Sequence, residues 1–229
     1  MSAKANALTK PQQTLILAAT LSAICFVLPM AKVALLPLVY LNTHIHELFH
    51  ALAALATQGS VGDIKVFGDG SGVTSVSGGW TLIVGSAGYV GSSIAGGWMI
   101  YLSRNGKSAS RMMTALALIL AISMVVLVRG DLVGIISGAF WVLVLAYAGQ
   151  KMSPNAASFA GQFIGIQQCV NAFQSLQTLV EISGNRGITS DAVILQNATG
   201  LPAIVWAISW VLLSVIIVVL CLRRAWANR

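Results

Sequence analysis

Charged residues are scarce in this sequence. Only 8% of its 229 residues are Asp, Glu, Lys or Arg, whereas 57% are hydrophobic. A soluble domain carries about 25% charged residues, so this chain has too few to cover a globular surface in water. We therefore expect a lipid bilayer to be the solvent for much of it. The composition excludes an ordinary soluble protein.

Acidic residues and cysteines are few. The chain has six acidic residues against thirteen Lys and Arg, which gives a net charge of +7. The basic residues lie at the chain ends and in short connections, as in membrane proteins that follow the positive-inside rule, so the charge does not imply a nucleic-acid partner. Cys25, Cys169 and Cys221 are isolated and form no CxxC pair. Neither a disulfide framework nor a thiolate metal site is expected.

The sequence does contain long apolar runs. Several of them approach the ~20 residues that a spanning helix needs. They are Leu15–Met30, Leu35–Thr57, Trp80–Leu102, Met112–Val128, Leu132–Ala148 and Ala203–Leu222. We predict an all-α polytopic membrane protein with about six transmembrane helices. Residues 1–229 are expected to form a single membrane-embedded domain after a flexible N-terminus over residues 1–13.

Two segments depart from this pattern of apolar helices. Residues 59–79 contain two β-prone runs around the turn Gly68–Gly72, which predicts a short hairpin directly after a helix over residues 37–58. Residues 149–202 are polar but helical in pattern. Within them, the glutamine-rich run Phe159–Ile182 predicts an amphipathic or semi-buried helix before the last span.

All three histidines lie close together, at His44, His46 and His50. His46 and His50 are four residues apart, so both imidazoles lie on one face of a helix and can bind the same metal ion. Glu47 is placed to take a proton from a water molecule at that ion, and zinc suits this set of donors. By composition alone, an HExxH pattern arises in roughly one such sequence per thousand. Ionisable groups inside a membrane helix are costly and mark function more often than they form a buried polar cluster.

His44 has a different position on this helix. It lies two residues before His46 and therefore points to nearly the opposite face. We interpret it as a helix-start or interfacial histidine rather than a ligand.

A catalytic zinc site needs a third protein ligand and an open position, and no histidine remains to supply that ligand. Asp63 and Asp69 lie in the predicted hairpin, where turn chemistry explains them. Glu181 ends an amphipathic stretch. Elimination favours Asp191, for which capping of a helix is the rival explanation, and Asp131 is the next candidate.

An ordered set of segments covers most of residues 40–215. It consists of Thr43–Leu52 with its HExxH, Gly59 and Val61, the D-G-x-G-x-T run Asp69–Thr74, Gly78–Trp80, Phe163–Gly165, Cys169, Ser190–Ala192, Thr199–Pro202, and Trp206 with Trp210. In this order the segments resemble the site-2-protease-like branch of membrane zinc peptidases, the peptidase M50B-like branch.

The resemblance implies zinc-dependent cleavage, within or close to the membrane, of a membrane protein or peptide substrate. It implies a multi-pass protein, expected in the inner membrane of a bacterial cell, with His46, His50 and a later aspartate as zinc ligands and Glu47 as the catalytic base. The family usually places that aspartate in L-D-G or N-P-D-G, whereas Asp131 reads R-G-D-L and Asp191 reads S-D-A. The S-D-A context favours Asp191, and the departure from the usual motif leaves both the third ligand and the activity open.

Two other functions remain open from the sequence. A non-catalytic zinc-binding membrane protein that retains the fold and regulates partners would bind zinc without Glu47-dependent cleavage. A transporter or channel would use the histidines as an ion site, but its polar residues would be spread along a path instead of around one helix. The hairpin either offers a strand edge to an extended substrate or is a plain surface loop. Gln167, Gln168 and Asn171 either line a wet cavity or form hydrogen bonds between helices, the latter being favoured.

Overall fold

The computed structural model describes residues 8–27, 35–130, 132–182 and 190–226, with the side chains of residues 171–182 left out. Most of these residues are helical, and two short strands form one antiparallel sheet. The helices are α1 Lys10–Val27, α2 Leu36–Ala56, α3 Thr81–Leu102, α4 Gly106–Val126, α5 Leu132–Lys151, α6 Pro154–Ile182, α7 Asp191–Thr199 and α8 Ala203–Trp226, and the strands are β1 Ser60–Val66 and β2 Gly72–Ser77. The predicted helical fold with a hairpin after the HExxH helix is confirmed.

Among the described residues, three helices are long and apolar enough to cross a membrane, namely α4, α5 and α8. Large apolar side chains cover their outer faces: Val125 on α4 is 73% exposed, Leu143 on α5 71% and Leu212 on α8 58%. Such surfaces are suited to lipid because apolar area is unfavourable in water. Helices α2 and α3 are not among these three; α2 carries His, Glu and Asn side chains, and α3 is rich in Gly and Ser. The predicted count of about six spans is not confirmed.

Helix α3 packs against α2, α6 and α8. Its glycines allow this close packing. A Cβ atom added to Gly91 would overlap the ring of Phe49 on α2, and one added to Gly96 would overlap the carbonyl oxygen of Gly165 on α6. Small residues at these positions let the helix backbones approach each other, as in other membrane helix pairs.

A buried apolar cluster holds α2 against α4 and α5. Leu41 of α2, Met113 of α4 and Leu145 of α5 are at most 1% exposed within it. At its edge, Trp141 Nε1 of α5 donates a hydrogen bond of 2.6 Å to the carbonyl oxygen of Pro37 near the start of α2. These contacts hold one side of α2, the helix that carries the HExxH sequence.

The first helix begins at Lys10, inside the segment over residues 1–13 that was predicted to be flexible. Gln12 is 8% exposed, and its Nε2 donates to the carbonyl oxygen of Trp226 at 3.1 Å, while its Oε1 accepts from the backbone N–H of Thr9 at 2.9 Å. The described part of this terminus is therefore attached to the end of α8. No sequence pattern predicts this contact, because it joins residues 214 positions apart.

The polar segment over residues 149–202 contains α6 and α7. Helix α6 begins at Pro154, five residues earlier than the predicted Phe159. Its Gln162 and Gln168 side chains are fully buried, which agrees with the semi-buried form of the prediction. Gln162 Nε2 lies 3.5 Å from the carbonyl oxygen of Ser103, a contact between α6 and the end of α3.

The hairpin has one occupied edge and one free edge. On β1, the N–H of Ile64 donates to the carbonyl oxygen of Leu127 at 2.9 Å, and its carbonyl oxygen accepts from the N–H of Arg129 at 3.2 Å. Within the described residues the sheet has no strand beyond β2. The outer edge of β2 is therefore available for pairing.

Two side chains of α2 attach the tip of the hairpin. Tyr40 donates through its hydroxyl to the carbonyl oxygen of Gly68 at 2.9 Å, and Thr43 Oγ1 lies 2.6 Å from the carbonyl oxygen of Gly70. Gly70 has φ +89°, a left-handed conformation that glycine adopts without strain. The hairpin consequently lies along the face of α2 that leads toward the HExxH sequence.

Candidate metal centre

His46 and His50 lie on one face of α2, as their spacing predicted. They are 8% and 6% exposed, and their Nε2 atoms are 2.9 Å apart. The local sequence supports this placement, because Pro37 occupies the first turn of α2, where a proline is compatible with the helix. Both imidazoles thus direct the same ring nitrogen to a single point.

Asp191 completes the cluster from the other side. Its Oδ2 lies 3.1 Å from Nε2 of His46 and 3.3 Å from Nε2 of His50. It is the first residue of α7, and Ser190 caps that helix by accepting from the N–H of Val193 at 3.4 Å. Ser190 is thus the N-cap of α7, the role that was the rival explanation for Asp191. Leu195 anchors α7 because it is fully buried against α3.

The three ligand atoms are spaced as a tetrahedral zinc ion requires. Zinc bonds of about 2.0–2.2 Å place neighbouring ligand atoms about 3.3–3.5 Å apart. The separations here are 2.9, 3.1 and 3.3 Å, at or a little below that range. His50 Nδ1 lies 2.6 Å from the carbonyl oxygen of Val84, so Nδ1 carries the proton and Nε2 presents its lone pair to the cluster. Two imidazoles and one carboxylate form a donor set that zinc commonly has in catalytic sites, so the residues present fit this metal.

Gly88 of α3 faces the two histidines. A Cβ atom at this position would overlap the Nε2 and Cε1 atoms of His46 and would contact Nε2 of His50. The absence of a side chain at Gly88 therefore keeps the space around the three ligand atoms open. Gly88 is one of several small residues on α3, and no motif in the sequence marks it.

Glu47 is buried beside the cluster, with 5% of its surface exposed. Its Oε2 lies 2.7 Å from Thr74 Oγ1, and the same hydroxyl lies 3.0 Å from the backbone carbonyl oxygen of Glu47. Gly72 of β2 packs against the other carboxylate oxygen, since a Cβ there would lie 2.7 Å from Oε1. The hairpin thus surrounds the carboxylate that the sequence assigned as a general base.

A cavity of about 670 Å³ joins these groups. Its walls come from α2, β2, the first turns of α3 and the start of α7, and His46, Glu47, His50 and Asp191 all line it. The cavity is large enough for a segment of extended peptide, since ligand pockets typically measure about 300–1,000 Å³.

Tyr89 is a cavity residue that sequence reasoning missed. Its ring contacts His46 edge to face, with 4.5 Å between ring centroids, and stacks on Trp210 at 4.8 Å. No motif in the sequence marks Tyr89, because its proximity to His46 arises only when α3 packs on α2. The pair Tyr89 and Trp210 supports one side of the His46 imidazole.

His44 lies away from the cluster. His44 is on the opposite face of α2, with its Nε2 3.1 Å from Ser137 Oγ of α5, and it is only 1% exposed. It is not among the grouped ligand atoms, as predicted, but the interfacial interpretation is wrong because α5 buries the ring. Asp131 lies outside the described residues, as does the side chain of Glu181.

The two hairpin aspartates have the turn chemistry that was expected. Asp69 Oδ1 accepts from the N–H and the hydroxyl of Ser71 at 2.9 and 2.6 Å, and these hydrogen bonds hold the pKa of Asp69 below its usual range. Asp63 bonds to the hydroxyl of Ser75 and pairs with Lys65 Nζ at 3.2 Å, which lowers the pKa of Asp63 in the same way. Both lie outside the cluster.

Comparison with known proteins identifies one family. A family model described as Peptidase M50B-like matches residues 16–221, which include α2, the hairpin, α3 and α7. No curated protein and no solved structure matches the chain.

Proposed function

The chain belongs to the peptidase M50B-like family, and we propose that it is a zinc-dependent membrane peptidase that cleaves membrane proteins or peptides within or close to the bilayer. The observation that carries the proposal is the grouping of His46, His50 and Asp191 around one point, with Glu47 buried beside them. Residues distant in sequence form this group, and a purely structural polar cluster would not need a cavity of peptide size at its mouth.

In this proposal His46 Nε2, His50 Nε2 and Asp191 Oδ2 hold the zinc ion. When bound, zinc would polarise a water molecule and the carbonyl group of the peptide to be cut. The hydrogen bond from His50 Nδ1 to the carbonyl oxygen of Val84 keeps the imidazole in the tautomer that can donate a lone pair. Buried ligands of this kind also exclude competing water from most of the site.

Glu47 is proposed to move the proton. Its carboxylate takes a proton from the attacking water as the new C–O bond forms, and it delivers that proton to the amide nitrogen as the C–N bond breaks. The new carboxyl and amino termini then separate. A positioned general acid–base group of this kind contributes about 10²–10⁴-fold to rate.

Strand β2 is proposed to bind the substrate backbone. Ile64 uses its N–H and carbonyl groups on the side of Leu127 and Arg129, so its pair with Thr74 carries no ladder hydrogen bonds. In an antiparallel pair of this type, the N–H and carbonyl groups of both residues point away from each other. Those of Thr74 therefore point to the free edge, where an extended peptide can add as a strand.

Addition to this edge would also explain how a helical substrate is cut. A peptide bond in an intact helix is enclosed by side chains and hydrogen-bonded within the helix. An extended segment beside β2 has one side of its backbone exposed, and the cavity that contains Glu47 lies next to that strand. We therefore expect substrates with a segment that unwinds readily.

The test compares new N-termini in membranes from cells that carry either the wild-type chain or Glu47→Gln. The proposal predicts new N-termini in or near the transmembrane segments of a few membrane proteins, present only with Glu47. Zinc bound at the site with identical N-termini in both samples would contradict cleavage and leave a zinc-binding protein that regulates partners.

A further inference from the structure

The hydroxyl of Thr74, on strand β2 of the hairpin, contacts the carboxylate of Glu47 on α2. Thr74 Oγ1 is 2.7 Å from Oε2 and 3.0 Å from the backbone carbonyl oxygen of the same residue. Hydrogen bonds to an ionised carboxylate are stronger and more directional than those between neutral groups. A glutamate side chain has several rotatable bonds, so one bond to a fixed partner restricts where its carboxylate can lie.

Thr74, the partner of Glu47, lies on a hairpin that is held against α2. The hairpin tip is attached to α2 through Tyr40 and Thr43, and Gly72 packs directly against the Glu47 side chain. Thr74 is half-buried and follows two residues later on the same strand. The strand that carries its hydroxyl is thus held on α2 partly by the Tyr40 and Thr43 contacts, which do not involve Glu47.

The same residue has its peptide group on the free edge of β2. The side chain of Thr74 contacts Glu47, while its N–H and carbonyl groups point to the edge where a substrate strand would add. A substrate bound there would have its backbone beside the residue that orients the base. This relationship would set the position along the substrate at which the general base acts.

We propose that Thr74 is a positioning residue, an inference that rests on the proposed function. Thr74 orients the Glu47 carboxylate toward the reacting water and aligns it with the substrate strand on β2. Thr74 itself does not touch the reacting atoms.

A purely structural role for Thr74 makes a different prediction. If the hydroxyl only attaches β2 to the backbone of α2, its removal loosens the hairpin without a specific effect at Glu47. Ser75 provides the matched control, because it is the next residue of the same strand and its exposed hydroxyl bonds to Asp63 on β1 instead. Ser75→Ala removes a hydroxyl from the hairpin without touching Glu47.

The experiment measures the affinity of acetohydroxamate for the purified zinc-loaded protein by calorimetry. This small chelator does not need the outer edge of β2. When it binds, its O–H bond would break and the proton would pass to Glu47. The variants are Thr74→Val, Thr74→Ser, Ser75→Ala and Glu47→Gln, each with its zinc content and thermal unfolding midpoint recorded.

We expect Thr74→Val to weaken acetohydroxamate binding about tenfold, in the same direction as Glu47→Gln, with zinc content unchanged. Thr74→Ser restores the hydroxyl and should stay within about twofold of the wild type, as should Ser75→Ala. Equal affinities for Thr74→Val and the wild type, together with weakened binding in Glu47→Gln, would overturn the role of Thr74 alone. Affinity indifferent to Glu47→Gln, or no zinc in the wild type, would overturn the proposed function and this inference with it.

Discussion

His50 Nδ1 lies 2.6 Å from the carbonyl oxygen of Val84, at the start of the helix that also contributes Gly88. One turn of α3 thus performs two tasks. Val84 fixes the tautomer of His50, and Gly88 leaves room for the ligand atoms of both histidines. The small-residue helix is therefore part of the candidate metal centre as well as of the packing.

The first prediction concerns Gly88. Replacing it with alanine places a methyl group on the Nε2 atoms of His46 and His50, so we expect zinc affinity to fall by about tenfold or more, comparable to losses when groups that orient a ligand are removed. Gly68→Ala is the control, because its Cβ would meet its nearest atom at 3.9 Å. Zinc titration of both variants measures this, and normal affinity in Gly88→Ala would place the metal elsewhere.

The second prediction separates capping from metal binding on α7. Ser190→Ala removes the side-chain cap and should lower the free energy of unfolding by about 1 kcal/mol, while zinc content stays at the wild-type level. Asp191→Asn keeps the size of the side chain but removes the charge, and it should lose zinc. Thermal unfolding and metal analysis distinguish the two. Loss of zinc in Ser190→Ala with zinc retained in Asp191→Asn would reverse the assignment.

The third prediction concerns the free edge of β2. Along the strand, Val76 has the same orientation as Thr74, so its N–H also points to the outer edge. Val76→Pro removes that donor without removing a bond of the β1–β2 ladder, and proline is tolerated on edge strands. We expect cleavage of the substrates found by N-terminal profiling to fall, while zinc content and acetohydroxamate affinity are retained. Undiminished cleavage would argue against strand addition.

The fourth prediction concerns the histidine outside the cluster. His44→Phe should keep wild-type zinc content, whereas His46→Ala should lose the metal, because only the latter faces Asp191. Ser137→Ala removes the hydroxyl partner of His44 and should lower the free energy of unfolding by about 1 kcal/mol with no change in zinc. Zinc loss in His44→Phe, at an unchanged unfolding midpoint, would make His44 a ligand.

The local part of the site could be predicted from the sequence. The pairing of His46 with His50 follows from helical periodicity, and so does the position of His44 on the opposite face of the helix. Asp191 could be favoured by elimination, because the chain has so few acidic residues. The structure brings it to the histidines, although it leaves the alternative Asp131 outside the described residues.

The non-local part could not be predicted. Thr74, Val84 and Gly88 meet the histidines and Glu47 only because the hairpin and α3 fold back on α2. No spacing rule links them to HExxH. The burial of His44 likewise depends on α5, which lies far along the chain. The predicted count of about six spans is not confirmed, since three of the described helices are long and apolar enough to cross a membrane.

The most direct test is the zinc content of the purified, detergent-solubilised protein in the wild type, Glu47→Gln, His46→Ala and Asp191→Ala. We expect about one zinc per chain in the wild type and in Glu47→Gln, and almost none in the other two variants. Zinc that persists in Asp191→Ala alone would move the third ligand, with Asp131 next in line. Zinc content indifferent to His46→Ala would contradict the metallopeptidase account.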